Sequence, residues 1–92
     1  MDEAPRSVRL HEVAPRDGLQ NEKVILATDR KLELIRRLAA ARPASIEVGS
    51  FVRPDLLPQM ADTPALCEQL EQAPWVAEAR AAGVRFAGLV PN

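Results

Sequence analysis

Three short apolar segments alternate along the chain with longer stretches in which apolar residues recur at helical spacing. Val8-Arg9-Leu10-His11-Glu12-Val13 has strand length and partial alternation, and Pro15 closes it. Leu32, Ile35, Leu38 and Ala39 then share one helical face, while Arg30, Glu33, Arg36 and Arg37 take the other. Glu33 and Arg37 are spaced to pair one turn apart. Thr28 suits the N-cap of this helix, Asp29 its first turn, and Pro43 stops it. Ser45-Ile46-Glu47-Val48-Gly49 reads as a second strand. Thr63-Pro64, a cap followed by proline at the first helical position, opens a helix through Leu66, Cys67 and Leu70. Pro74 starts a separate helical turn through Trp75, Val76, Ala79 and Arg80, and Gly83 fits its C-terminal end. Val84 to Val90 forms a third strand, followed by Pro91-Asn92.

Strand, helix, strand, helix, strand is the order of a parallel sheet with right-handed crossovers, so the fold class is α/β. Two complete βα units and one strand are too few to close a (β/α)8 barrel, which needs roughly 250 residues. The pattern is that of a small open α/β domain or of a portion of a larger one. Residues 1–7 are polar, contain Pro5, and read as a flexible N-terminus ahead of a folded unit over 8–92. Residues 14–27 form a long loop, and a second one carrying Pro54 and Pro58 follows the second strand. Loops of that length in compact folds are usually functional or disordered.

Composition narrows the function classes. The chain has 92 residues, 47% hydrophobic and 27% charged, which are ordinary globular values. Twelve basic and 13 acidic residues are mixed along it, giving a net charge of −1, and aromatics make up 3%. Neither a basic stripe nor a stacking platform is present, so nucleic-acid binding is excluded as a reading. No apolar run is long enough for a bilayer, the start lacks the apolar core of a secretory signal, and its acidity argues against a transit peptide. A single cysteine, Cys67, fits a reducing, cytoplasmic setting. The four glycines make no G-x-G-x-x-G, so a dinucleotide site has no support.

Candidate chemistry concentrates at Arg16-Asp17, just past the first strand. Parallel α/β folds place ligands at the carboxyl ends of their strands. An aspartate there can ligate a hard divalent cation. An arginine beside it can stabilise negative charge developing on a carbonyl oxygen. Gly18 permits a turn that lets both side chains converge. The same tripeptide also reads as a solvated surface turn. Glu12 and Glu47 lie among apolar strand residues, where a carboxylate is costly unless paired. Either both point to the inner face near Arg16, or both face solvent. His11 reads as a hydrogen-bonded packing residue, Cys67 as packing on the apolar side of its helix, and Trp75, Phe51 and Phe86 as core or interface.

Taken together, four segments carry a resemblance. Glu12-Val13-Ala14-Pro15-Arg16-Asp17-Gly18-Leu19-Gln20-Asn21-Glu22 closely resembles the first strand and loop of hydroxymethylglutaryl-CoA lyases. Ile46-Glu47-Val48-Gly49-Ser50-Phe51-Val52 is similar to the family's second strand, and Pro58-Gln59-Met60-Ala61-Asp62 to the loop after it. Val90-Pro91-Asn92 is similar to the end of the third strand. The Gly18 to Glu22 continuation and the Gln59 to Asp62 loop favour the lyases over the related isopropylmalate and homocitrate synthases.

The resemblance implies the N-terminal portion of a (β/α)8 TIM barrel, incomplete here, with three strands and two helical connections. It implies an acyl-CoA substrate, Mg2+ or Mn2+, and retro-Claisen cleavage to acetoacetate and acetyl-CoA. On that basis Asp17 is the metal ligand, Arg16 the catalytic and substrate-contacting arginine, Glu47 a catalytic-site glutamate, and Gln20 a substrate-side residue of the same loop. The family's His-x-His pair, its asparagine ligand and its glycine-rich cysteine loop have no counterpart in this sequence. The 92-residue chain alone is therefore expected to lack lyase activity. The alternatives are a non-catalytic α/β module that self-associates, as a homo-oligomer or by aggregation through open strand edges, and a fragment of a synthase-type condensing enzyme.

Overall fold

The computed structural model describes residues 9–19, 23–53 and 55–90. Their elements run β1 (His11–Glu12), a π-helical turn (Ala14–Gly18), α1 (Thr28–Ala40), β2 (Ser45–Ser50), a 3-10 turn (Pro58–Met60), α2 (Thr63–Gln72), α3 (Pro74–Ala81) and β3 (Arg85–Leu89). The strands form one parallel sheet in the order β1-β2-β3. This is the strand–helix–strand–helix–strand arrangement expected from the hydrophobic pattern. The expected N-terminal segment 1–7, Gln20, and Pro91-Asn92 lie outside the described residues.

Helix boundaries follow their punctuation. Pro43 cannot continue α1, which ends at Ala40; Arg42 turns the chain with a φ of 57°. Pro74 at the first position of α3 breaks the second helical connection in two, with Ala73 extended between α2 and α3. Gly83 follows α3 with a φ of 98°, the left-handed conformation that glycine adopts without steric cost. β1 is shorter than expected, because the backbone leaves the ladder at Val13 to enter the π-helical turn.

One face of the sheet is closed by the helices. Ile35 and Ala39 of α1 meet Ile46 and Val48 of β2, Leu66 and Leu70 of α2, Val76 and Ala79 of α3, and Val84. Fully burying a residue such as Ile35 or Ile46 contributes roughly 1.5–3 kcal/mol. Trp75 and Phe86 extend this core with an edge-on ring contact at 6.3 Å. α2 approaches β2 closely. A Cβ on Gly49 would lie 2.5 Å from Thr63 Oγ1, so only glycine fits between them.

Among the described residues, the other face carries no α-helix. Side chains alternate along a strand, so Ser45 and Glu47 point away from the core that takes Ile46 and Val48. The register sets His11 and Arg85 beside Ser45, and Ala87 beside Glu47. Among the described residues, no helix is long and apolar enough to cross a membrane.

Candidate functional site at the carboxyl ends of the strands

The π-helical turn carries the chain from β1 across the end of the sheet. The carbonyl of Val13 accepts the N–H groups of Arg16 at 3.1 Å and Asp17 at 2.7 Å. Pro15, which has no N–H to satisfy, is buried at the start of this turn. Single π-helical turns of this kind recur at functional sites. Gly18 sits inside the turn without a left-handed φ, and a Cβ there would make only ordinary contact with Ala14. The convergence of Arg16 and Asp17 therefore comes from the π-helical turn and not, as the sequence suggested, from glycine's freedom.

The turn delivers Arg16 onto β2. Its Nε donates to Glu47 Oε1 at 2.8 Å, and Nη2 lies 2.7 Å from the same oxygen. Nη1 reaches Asp17 Oδ1 at 3.3 Å. Exposure falls along this series: 55% for the Asp17 side chain, 32% for Glu47, 18% for Arg16. Arg16 is thus held in one orientation between two carboxylates, with further guanidinium N–H donors left for a ligand oxygen. Glu12 does not share this corner. It pairs in register with the fully buried Ile46, which puts it on the helix side, and its Oε1 accepts the Ala14 N–H at 3.0 Å. Of the two strand carboxylates, only Glu47 meets Arg16.

Asp17 presents one hard oxygen donor, suited to one position around a divalent cation. Among the described residues, no group of three or more His, Cys, Asp or Glu side chains is gathered to hold a metal. A cation held tightly at Asp17 thus needs ligands that these residues do not bring.

Sequence reasoning missed a second constellation, behind the site. Lys31 is 1% exposed, and its Nζ donates to the Gln59 carbonyl and to Asp62 Oδ1. Asp62 Oδ2 accepts from Thr28 Oγ1. Thr28 therefore does not cap α1; Ala27 takes that position without a side-chain bond, because the Thr28 hydroxyl is committed to Asp62. Thr63 is likewise no cap. Its hydroxyl donates to the Met60 carbonyl at 2.7 Å and accepts the Ser50 N–H at 3.2 Å. These bonds tie the loop after β2 to the start of α1 and to the carboxyl end of β2. The available signal was the recurrence of Lys31, Ile35 and Ala39 at four-residue intervals, a stripe that places a lysine on the buried face.

The remaining candidates stand apart from the corner. His11 Nδ1 lies 2.5 Å from Ser45 Oγ, at the opposite ends of the strands. Cys67 is half-buried on α2, and burial, with the charge of Glu71, pushes its thiol pKa up. That is the environment of a packing cysteine rather than a nucleophile.

A family model described as HMGL-like matches residues 7–84. The chain is 47% identical over 88 residues to the cytoplasmic 3-hydroxy-3-methylglutaryl-CoA lyase of Homo sapiens, an alignment covering 96% of this chain and 22% of that protein. The crystal structure of the HMG-CoA lyase of Bacillus subtilis superposes with a TM-score of 0.79 at 38% identity, covering 96% of this chain and 27% of the other. An HMG-CoA lyase from Acinetobacter baumannii, solved in complex with coenzyme A and 3-methylmalate, gives 0.76 at 33% identity, covering 91% and 25%. The chain spans about a quarter of the length of the relatives it matches. Its three parallel strands and helical connections correspond to the N-terminal part of those TIM-barrel structures.

Proposed function

This chain belongs to the HMGL-like family, and on that premise we propose that it supplies the Arg16–Asp17–Glu47 corner of a carbon–carbon lyase acting on a hydroxyacyl-CoA of the hydroxymethylglutaryl type. One observation carries the reading. In a chain aligned with such lyases over nearly its whole length, the arginine after β1 is held by the glutamate of β2 at the carboxyl ends of the strands.

In the proposed reaction, a base outside these residues takes the proton of the substrate's 3-hydroxyl. The oxygen's electrons form a carbonyl, the adjacent carbon–carbon bond breaks, and its electron pair moves onto the thioester as an enolate, which is then protonated. Acetoacetate and acetyl-CoA result. Arg16 donates N–H groups to oxygen as its charge grows, and does so most effectively where its orientation is already set. Glu47 performs that setting through Nε and Nη2. Gln20, outside the described residues, keeps the substrate-side role that the resemblance implies. Asp17 would be one ligand for Mg2+ or Mn2+, which would supply Lewis-acid polarisation when bound. We place the protein in the cytoplasm, in keeping with a relative named cytoplasmic.

The test is a chimera in which this chain replaces the aligned quarter of the Bacillus subtilis lyase. The folded chimera is expected to cleave hydroxymethylglutaryl-CoA, and Arg16→Gln within it to lower kcat by about 100- to 1,000-fold. The 92-residue chain alone is expected to show no turnover. A folded chimera without activity, or one indifferent to Arg16→Gln, would sink the proposal.

A second reading has its own observation. β3 is exposed along most of its length, and Leu89, Val90 and Phe51 present apolar surface beside it. An uncovered edge of this kind invites strand pairing, so a self-associating module without catalysis is the competing function. Sedimentation that shows a compact monomer across a wide concentration range would remove it.

A further inference from the structure

At the amino ends of the strands, far from Arg16, the sheet lines up a different row. His11, Ser45 and Arg85 are direct neighbours in register on the open face. With Arg9, Ala44 and Gly83 they line a cavity of about 230 Å3 that no carboxylate of the described residues lines. His11 Nδ1 is committed to Ser45 Oγ, while Nε2 has no hydrogen-bond partner among the described residues. The guanidiniums of Arg9 and Arg85 also have no ion-pair partner among the described residues. Three surface arginines are neutralised locally, Arg37 by Glu33, Arg53 by Asp55 and Arg80 by Glu71, while Arg30, Arg36 and Arg42 share with Arg9 and Arg85 the lack of an ion pair among the described residues. This cavity gathers two guanidiniums, an imidazole and a hydroxyl without such a counter-charge.

We propose that the cavity is a binding site for a phosphate group. Guanidinium forks bind tetrahedral oxyanions through paired N–H donors, and these charge-assisted bonds are the strong ones. Two arginines match the charge of a phosphate dianion, and the donors approach from three adjacent strands. The volume is below the roughly 300–1,000 Å3 of pockets for drug-sized ligands, which suits inorganic phosphate or the terminal phosphate of a small phosphomonoester. The site lies at the other end of the sheet from the lyase corner and stands or falls without it.

The experiment is a titration of the full 92-residue chain with inorganic phosphate, and separately with phenyl phosphate, at constant ionic strength held by chloride. The readouts are the NMR signals of the His11 ring and calorimetry. A saturable, one-site shift is expected. Arg85→Gln is expected to weaken it by roughly tenfold or more, and Arg9→Gln, which lies outside the strands, to do the same without disturbing the sheet. Arg37→Gln, a cation elsewhere on the surface, leaves the affinity unchanged. Tighter binding of phenyl phosphate identifies a phosphomonoester site; equal or weaker binding identifies free phosphate. A shift that does not saturate, that chloride reproduces, or that survives in both Arg85→Gln and Arg9→Gln overturns the proposal.

Discussion

Two ion pairs link separate parts of this fold with opposite consequences. Arg16–Glu47 joins the turn after β1 to β2, and Lys31–Asp62 joins α1 to the loop after β2. Arg16 remains 18% exposed and its carboxylate 32%, at an open end of the sheet where further N–H groups can meet a ligand. Lys31 is 2% exposed by its side chain, with its ammonium closed in by Asp62, the Gln59 carbonyl and the start of α1. The first pair leaves guanidinium N–H groups open at the uncovered end of the sheet. The second is sealed, and its use is to fix where two loops lie. The side of the sheet makes the difference: Lys31 is buried on the helix side, while Arg16 lies on the uncovered side.

The largest effect should come from breaking the sealed pair. Lys31→Met leaves Asp62 without its cation beside an apolar side chain, and loss of one partner of a buried pair costs about 3–5 kcal/mol. Because Asp62 keeps a quarter of its exposure, the lower end of that range is expected, read as a fall in the urea midpoint with unchanged slope. The counterpart, Arg16→Gln, should cost less, about 1 kcal/mol, because that pair is only partly buried and solvent screens it. If the two variants lose equal stability, the contrast between an acting pair and a scaffolding pair is wrong.

Next in size is a steric test of the same scaffold. Gly49→Ala drives a methyl to 2.5 Å from Thr63 Oγ1 and 2.9 Å from its Cγ2, against the hydroxyl that holds Met60 and Ser50. Overpacking of this kind costs about 1–3 kcal/mol. Thr63→Ser in the Gly49→Ala background removes the Cγ2 conflict and should restore part of the loss in thermal unfolding. No restoration would mean that the close approach of α2 to β2 is not what constrains this position.

The contrast also sorts what the sequence could reveal. Elements bounded by proline and glycine, such as α1 before Pro43 and α3 from Pro74, were legible because those residues act through their own backbone. The placement of Arg16 at the carboxyl ends of the strands was legible, since a charged run directly after a strand in a parallel fold falls there. Lys31 was not, because whether a lysine is buried is decided by Asp62 and Gln59, about 30 positions away. The roles of Thr28 and Thr63 were misread for the same reason: each has the side chain of a cap but spends its hydroxyl on a tertiary partner. Gly18 and Glu12 were misread because a π-helical turn and a strand register cannot be seen in one-residue preferences.

The smallest expected effect concerns a pair that neither acts nor scaffolds. Arg80 binds both oxygens of Glu71 on the surface, and these hydrogen bonds, with the guanidinium's charge, hold the Glu71 carboxyl below the usual carboxylate range. A depressed folded value means the ionised form favours folding. The contribution is complete above the ordinary carboxylate pKa of about 4.3 and drains away as pH falls through the lower folded value. Thermal melts of the parent chain and Glu71→Gln should therefore differ slightly at neutral pH, converge in acid, and converge again in high salt, which screens exposed charges. The same substitution removes one of the two causes that raise the Cys67 thiol, so alkylation at Cys67 should quicken modestly while burial continues to hold it back. A difference in melting temperature that persists unchanged into acid would place the effect in packing against Phe86, over which the Arg80 guanidinium lies at 5.7 Å, and not in the charge pair.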